Sequence, residues 1–409
     1  MKLDNSMNVH LHKIENVKYV NFLIYFKAGL VYEPINKVGI THLLEHMLFR
    51  GLGDYDFENL EKLFNNMGTE VYGKTGYNYM SLSFSVLSSN IDVAIQYFGQ
   101  LFTKPMWTKD DLKKEKEIIK HEIAIKGTKF SKRINALYDN PILNKSVLGV
   151  VSVINRISLD DVLVHYTNVI NPANATLFIS GDISDDFCNK LLMFLSSINN
   201  NCKTEFEVKR NLVPYTAFKR TNNFVLQYDY CEYSDLFLSF DVNKKYQNSA
   251  RLIQHYLSGY TSPLSEELVD KNAFSYELMS CLDEWKDFSV MTFNISCEYN
   301  NLCDVIEMFS DVLKRLIREF NYDKYKKILS FIELDRIKTQ TNPEEINYMH
   351  FHNCLCNISE DTPSYNDACR AMKEIFSENN FSIYTTYSIK RSEVVNSIQK
   401  LKNNLNFNL

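Results

Sequence analysis

Two stretches of this chain run through the same order of secondary-structure signals, and that repetition limits the fold more than any other feature. In the first stretch, Val17–Ala28 is a β-branched and aromatic run stopped by Gly29, which reads as a strand. HLLEHMLFRG then reads as a helix that Gly51 stops, and Phe57–Met67 as a second helix ended by Gly68. Tyr79–Leu87 alternates small polar with apolar residues, the period of a half-buried strand. Ile91–Leu101 returns to helical spacing, Pro105 breaks it, Lys109–Lys126 is a long charged helix, and Ala175–Ser180 is a closing strand. Ser234–Val242, Ser249–Leu257, Phe288–Cys297, Leu302–Phe320 and Asp323–Lys338 then repeat the order strand, helix, strand, helix, charged helix. A chain of 409 residues exceeds one ordinary core. The repeat predicts an α+β fold of two homologous domains, each an antiparallel-rich sheet with helices packed on one face. The expected bounds are 1–198 for the first, 199–210 for a polar linker and 211–409 for the second.

Charge and targeting signals exclude several classes of function. A formal charge of -5 offers no basic face for nucleic acid or anionic membranes. The opening MKLDNSMNVHLHKIENV lacks the apolar core and small-residue cleavage site of a signal peptide. No run of about 18 apolar residues predicts a membrane span. Of nine cysteines, eight lie beyond residue 200 without a C-x-x-C pair, so buried or free thiols in a reducing cytoplasm are expected.

Chemistry concentrates in the first helix. His42 and His46 are four residues apart and project from one helical face, so both can converge on a single ion. Zinc takes imidazole nitrogens and commonly a carboxylate as third protein ligand. Glu45, on the neighbouring strip of that face, can hold and deprotonate a water. On the charged helix, Glu115 and Glu122 are seven apart and share a face. One such carboxylate can complete the site from a second helix while the other orients a histidine ligand.

The stretch FKAGLVYEP followed by GITHLLEHMLFRG resembles the pitrilysin/insulinase group of metallopeptidases, whose H-x-x-E-H order is the inverzincin pattern. The likeness continues through LGVVSVINRISLDDVLVHYTNVINPANATLFISGDIS and covers residues 18–185, with the second half similar only in layout. In that family the third zinc ligand ends an E-x6-E segment about 75 residues past the motif. The match implies His42, His46 and Glu122 as ligands of one Zn2+, Glu45 as catalytic base and Glu115 as the accompanying acid.

Two departures matter. Where the family has Asn-Ala before a Thr, this chain has Tyr72-Gly73 before Thr75; the strand can still offer its main chain to an extended peptide, and Tyr72 and Gly73 are the candidate substrate contacts. In LSEELVDKNAFSYEL, Tyr276 fits the family's oxyanion-stabilising Tyr, but Val269 stands where an Arg precedes it by seven, with Lys271 the nearest cation. Apolar Val cannot donate a hydrogen bond. The resemblance therefore implies the zinc-bearing subunit of a heterodimer whose homologous partner supplies Arg and Tyr, with a homodimer as the alternative.

His350, His352, Cys354 and Cys356 would share a face on a strand, but NPEEINYM starts a helix that scatters them, so no second metal is expected. His10-x-His12 reads as a solvated edge, and His121 points about 100° from Glu122. The expected reaction is zinc-dependent hydrolysis of unfolded peptides or leader sequences. A peptide-binding scaffold of the same fold and a structural zinc protein are the rival readings.

Overall fold

A computed structural model describes residues 1–126, 146–199, 224–230, 232–258, 262–284, 288–357 and 361–405. The expected linker at 199–210 lies almost wholly outside them. In chain order the first sheet takes β1 (Asn8–Lys13), β2 (Tyr19–Phe26), β3 (Tyr72–Thr75), β4 (Met80–Leu87) and β5 (Ala175–Gly181). Between and after them come α1 (Ile40–Leu48), α2 (Phe57–Met67), α3 (Asp92–Leu101), α4 (Lys109–Lys126), α5 (Leu159–Val169) and α6 (Asp185–Ser197). The second sheet is β6 (Phe224–Tyr228), β7 (Tyr233–Asn243), β8 (Ser275–Glu284), β9 (Phe288–Glu298) and β10 (Phe381–Tyr387). The helices of this later part of the chain include α7 (Gln247–Leu257), α8 (Leu302–Glu319), α9 (Tyr322–Thr339), α10 (Pro343–Cys356), α11 (Tyr365–Ile375) and α12 (Arg391–Asn404).

The repetition read from the sequence is one of topology. The first sheet has strand order β1-β5-β2-β4-β3, and the second has β6-β10-β7-β9-β8. Each therefore places its last strand between its first and second, with first and last parallel and the remaining pairs antiparallel.

Strand composition follows coverage. On β4 the side chains of Met80, Leu82, Phe84 and Val86 enter the first core, where Phe84 stacks on Phe22 with ring centroids 5.1 Å apart. Ser81, Ser83 and Ser85 fall on the other face, as the period of 2 requires. Central β2 is buried at seven of eight positions, because its second face is also covered. The cover is α10. Contacts divide the chain into two compact units, and the first includes Ile337–His352 with the N-terminal residues. Asn347, 1% exposed, donates to the Asn21 carbonyl at 2.9 Å and to Asn21 Oδ1 at 2.7 Å, and accepts the Ser180 hydroxyl at 2.6 Å. Phe351 packs on Tyr25 and Tyr79 at 5.2 and 5.0 Å.

In the second unit α7, α8 and α12 bury apolar faces in a separate core with Leu236, Leu238 and Phe240 of β7. Among the described residues, no helix is long and apolar enough to cross a membrane, and the seven described cysteines are free thiols.

Candidate metal centre

Helix α1 starts without a side-chain cap of its own. Gly39 precedes it at φ 92°, and a Cβ there would lie 2.6 Å from Gly149 Cα and 2.8 Å from Ile154 Cδ1, so only glycine fits. The orphan amide groups are met from a distance by Glu33, 3% exposed. Its Oε2 accepts from the Gly39 N–H at 2.7 Å and its Oε1 from the Thr41 N–H at 2.9 Å. A carboxylate suits this place, since the helix N-terminus is the positive end of its dipole. The Thr41 hydroxyl is held by the Gly29 N–H at 3.3 Å and by His165 Nε2 at 3.0 Å. Eight of the nine α1 residues are buried. The helix is thus clamped at its start and packed nearly all round.

Burial pushes His165 down to about 4, with the Lys37 charge adding to the effect. Its neutral form is the folded form. Because the folded pKa lies below the ordinary 6.5, the stability it supports is full at neutral pH and is lost as pH falls from about 6.5 towards about 4, where the unfolded chain takes up a proton first. The loss expected is about 2–3 kcal/mol. Thermal melts of chelator-treated protein across that window should show it, and His165→Gln should flatten the curve; equal slopes for both proteins would exclude this source.

From this helix, His42 and His46 project toward α4. His42 Nε2 lies 3.5 Å and His46 Nε2 3.4 Å from Glu122 Oε2, and the three ligand atoms all fall within 4.8 Å of one another. A tetrahedral ion with donors at roughly 2.0–2.1 Å separates neighbouring donors by about 3.3 Å. The two imidazoles and the carboxylate therefore fit zinc in chemistry, and both imidazole–carboxylate separations are close to that spacing. Among the described residues no other group of three histidine, cysteine, aspartate or glutamate side chains converges in this way.

The second acid of α4 does a different job. Glu115, 4% exposed, accepts from His46 Nδ1 at 2.9 Å and from Arg50 Nε on its other oxygen. A carboxylate only accepts here, so His46 carries its proton on Nδ1 and turns the Nε2 lone pair toward Glu122. Burial works against both charges, yet the pairing outweighs it. His46 is held above its ordinary value and Glu115 below its own, the latter with help from Arg50. Glu115→Ala should weaken zinc binding about 10–100-fold, measured by competition with a chelator; an unchanged affinity would remove this orienting role.

Glu45 is buried and meets β3. The Thr75 hydroxyl donates to Glu45 Oε2, and a Cβ on Gly73 would lie 2.6 Å from Glu45 Oε1 and 2.8 Å from its Cγ. The strand edge and the acid can approach this closely only because residue 73 lacks a side chain.

The structure brings His42, Glu45, His46, Glu115, Glu122 and Gly73 together. Tyr72 stands on the other face of β3, 64% exposed, with its hydroxyl donating to Glu70 at 3.0 Å. Tyr276 lies in β8, but its side chain is outside the described residues. Val269 packs against the second core, and Lys271 pairs with Glu266 and Glu267 at 2.8 and 3.3 Å. His350 and His352 lie on α10, as the helix start at NPEEINYM predicts. Sequence reasoning assigned no role to Glu33, Arg50, Thr41 or His165. Glu33 was visible six residues ahead of the glycine that opens α1, but only the fold shows that its carboxylate turns back onto the helix.

Residues 8–149 match the family described as Insulinase (Peptidase family M16), and residues 156–330 match the Peptidase M16 inactive domain. A relative in Rickettsia bellii, an uncharacterized zinc protease, is 23% identical over 86% of this chain and 87% of its own length. The mitochondrial-processing peptidase subunit beta of Saccharomyces cerevisiae is 21% identical over 39% of this chain and 36% of its own. The crystal structure of a protease from Helicobacter pylori superposes with a TM-score of 0.79 at 16% identity, covering 95% of this chain and 98% of that one.

Proposed function

Because the chain carries the two domains of the insulinase (M16) peptidase family, we propose that it is a zinc-dependent metalloendopeptidase acting on unfolded peptides or leader sequences. One observation carries this reading. The Nε2 atoms of His42 and His46 lie 3.5 and 3.4 Å from Glu122 Oε2, close to the spacing of neighbouring zinc donors, and a buried carboxylate, Glu45, stands one residue from His46 on the same helix.

Zinc bound there would supply Lewis acidity, polarising a substrate carbonyl and acidifying a nearby water. The chain's own residues supply the rest. Glu45 takes the proton of the attacking water and hands it to the leaving amine. Thr75 and the absence of a side chain at Gly73 fix where the Glu45 carboxylate sits. Glu115 and Arg50 hold the His46 ring in one tautomer. Strand β3 is the outer strand of its sheet, so its free main-chain edge can take up an extended peptide as a further strand.

Among the described residues of the second domain, the place of the family's Arg holds no oxyanion donor. Val269 is apolar, and Lys271 is engaged by two acids. This supports a heterodimer in which a homologous partner supplies Arg and Tyr, and the yeast relative is by its name a subunit. The alternative is a homodimer. Elemental analysis should find about one zinc per chain, and the purified chain should hydrolyse an unstructured peptide weakly alone and strongly with its partner. A chain without zinc favours the scaffold reading, and full activity of the lone chain removes the heterodimer.

A further inference from the structure

The two faces of β3 are unlike. Gly73 and Thr75 stand on the α1 face against Glu45. Tyr72 and Lys74 stand on the opposite face, level with Ser83 and Ser81 of β4. On that opposite face, within the first unit, a cavity of about 330 Å³ opens beside the strand. Ser83 and Leu23 are among the residues on its sheet side, the rings of Tyr72, Tyr348 and Phe351 and the Lys74 side chain also line it, and Glu344 adds a carboxylate. Phe351 is 2% exposed, whereas Tyr72 and Tyr348 are 64% and 50% exposed. Two rings therefore face solvent while the third lies deep.

Charge here is balanced. Glu344 Oε1 accepts the Ser85 hydroxyl at 2.6 Å, and Lys74 Nζ already lies 5.9 Å from the centre of the Tyr348 ring. A second cation over that ring would meet the first, so the lining favours a neutral occupant with large apolar area.

We propose that this cavity is a substrate subsite for an aromatic side chain. The proposal rests on the peptidase reading above and extends it to selectivity. A peptide added to β3 as the next strand points successive side chains to opposite faces. The residue that stands beside Glu45 is flanked by neighbours that turn away from α1, toward the cavity. Selectivity is then set one residue from the catalytic side, by α10, an element that follows the second domain's β9 in the chain. A Phe, Tyr or Trp side chain buries its ring among Tyr72, Tyr348 and Phe351.

The test uses the full chain carrying Glu45→Gln and labelled Ala/Ser peptides with one variable residue, read by fluorescence anisotropy. Peptides with Phe, Tyr or Trp should bind about 10-fold tighter than those with Ala or Arg. Ser83→Trp, which fills the cavity, and the milder Tyr348→Ala should each erase that preference. Circular dichroism checks that both variants fold. No discrimination, a preference for Arg, a preference that survives both variants, or no peptide binding at all overturns the subsite. Aromatic-selective binding with no hydrolysis by the zinc-loaded wild-type chain, alone or with its partner, overturns the peptidase reading alone, and hydrolysis without selectivity overturns the subsite alone.

Discussion

Glu45→Gln is expected to leave zinc binding intact and to lower the turnover of peptide hydrolysis by about 10³–10⁴-fold, the upper range for loss of general acid–base catalysis. The substitution keeps the side-chain volume and the acceptor for the Thr75 hydroxyl, while an amide cannot take a proton at neutral pH. Since Glu45 belongs to neither the His42, His46, Glu122 set nor the Glu115–Arg50 support, metal content is the internal control. Turnover within about threefold of wild type would remove Glu45 as the base. Gly73→Ala should be a milder copy, with metal retained and turnover lowered about 10-fold or more, because the new Cβ must push the Glu45 carboxylate from its place. A stopped assay with metal analysis on the same sample reads both variants.

Glu33→Ala is expected to cost about 2–4 kcal/mol of stability, since two buried backbone N–H groups lose a charged acceptor at once. Denaturant titration should show a lower midpoint with an unchanged slope. Zinc affinity should fall with it, as the start of α1 loses its restraint while His42 and His46 remain. Glu33→Gln retains one acceptor oxygen and should fall between the two. A midpoint within about 0.5 kcal/mol of wild type would show that water serves the helix terminus equally well.

The spacing of His42, Glu45 and His46 and the pairing of Glu115 with Glu122 were legible in the sequence because helical periodicity is local. Residues four or seven apart share a face whatever the rest of the chain does. The second copy was legible where β7 and β9 carry strand signals, and its topology repeats the first strand by strand. Glu33 was not legible as a clamp, since nothing local shows that a loop carboxylate returns to a helix six residues on. Edge strand β3 was reached only through the family resemblance, because YGKT carries no apolar period; its role comes from position beside α1. The apolar run in β2 was read as a strand without its reason, which is cover on both faces, one of them supplied by a segment more than three hundred residues later.

That late segment makes the half with the candidate metal site unfit to travel alone. A fragment ending near residue 199 would lack Asn347 and Phe351, baring Leu23, Tyr25 and Phe178, which the whole chain buries. During synthesis at about 5–20 residues per second, the roughly 140 residues between that point and α10 take about 7–30 s to emerge. For that interval a nascent first sheet is half-clothed and prone to stick. Truncations meant to isolate the zinc module should therefore aggregate unless Ile337–His352 is grafted back.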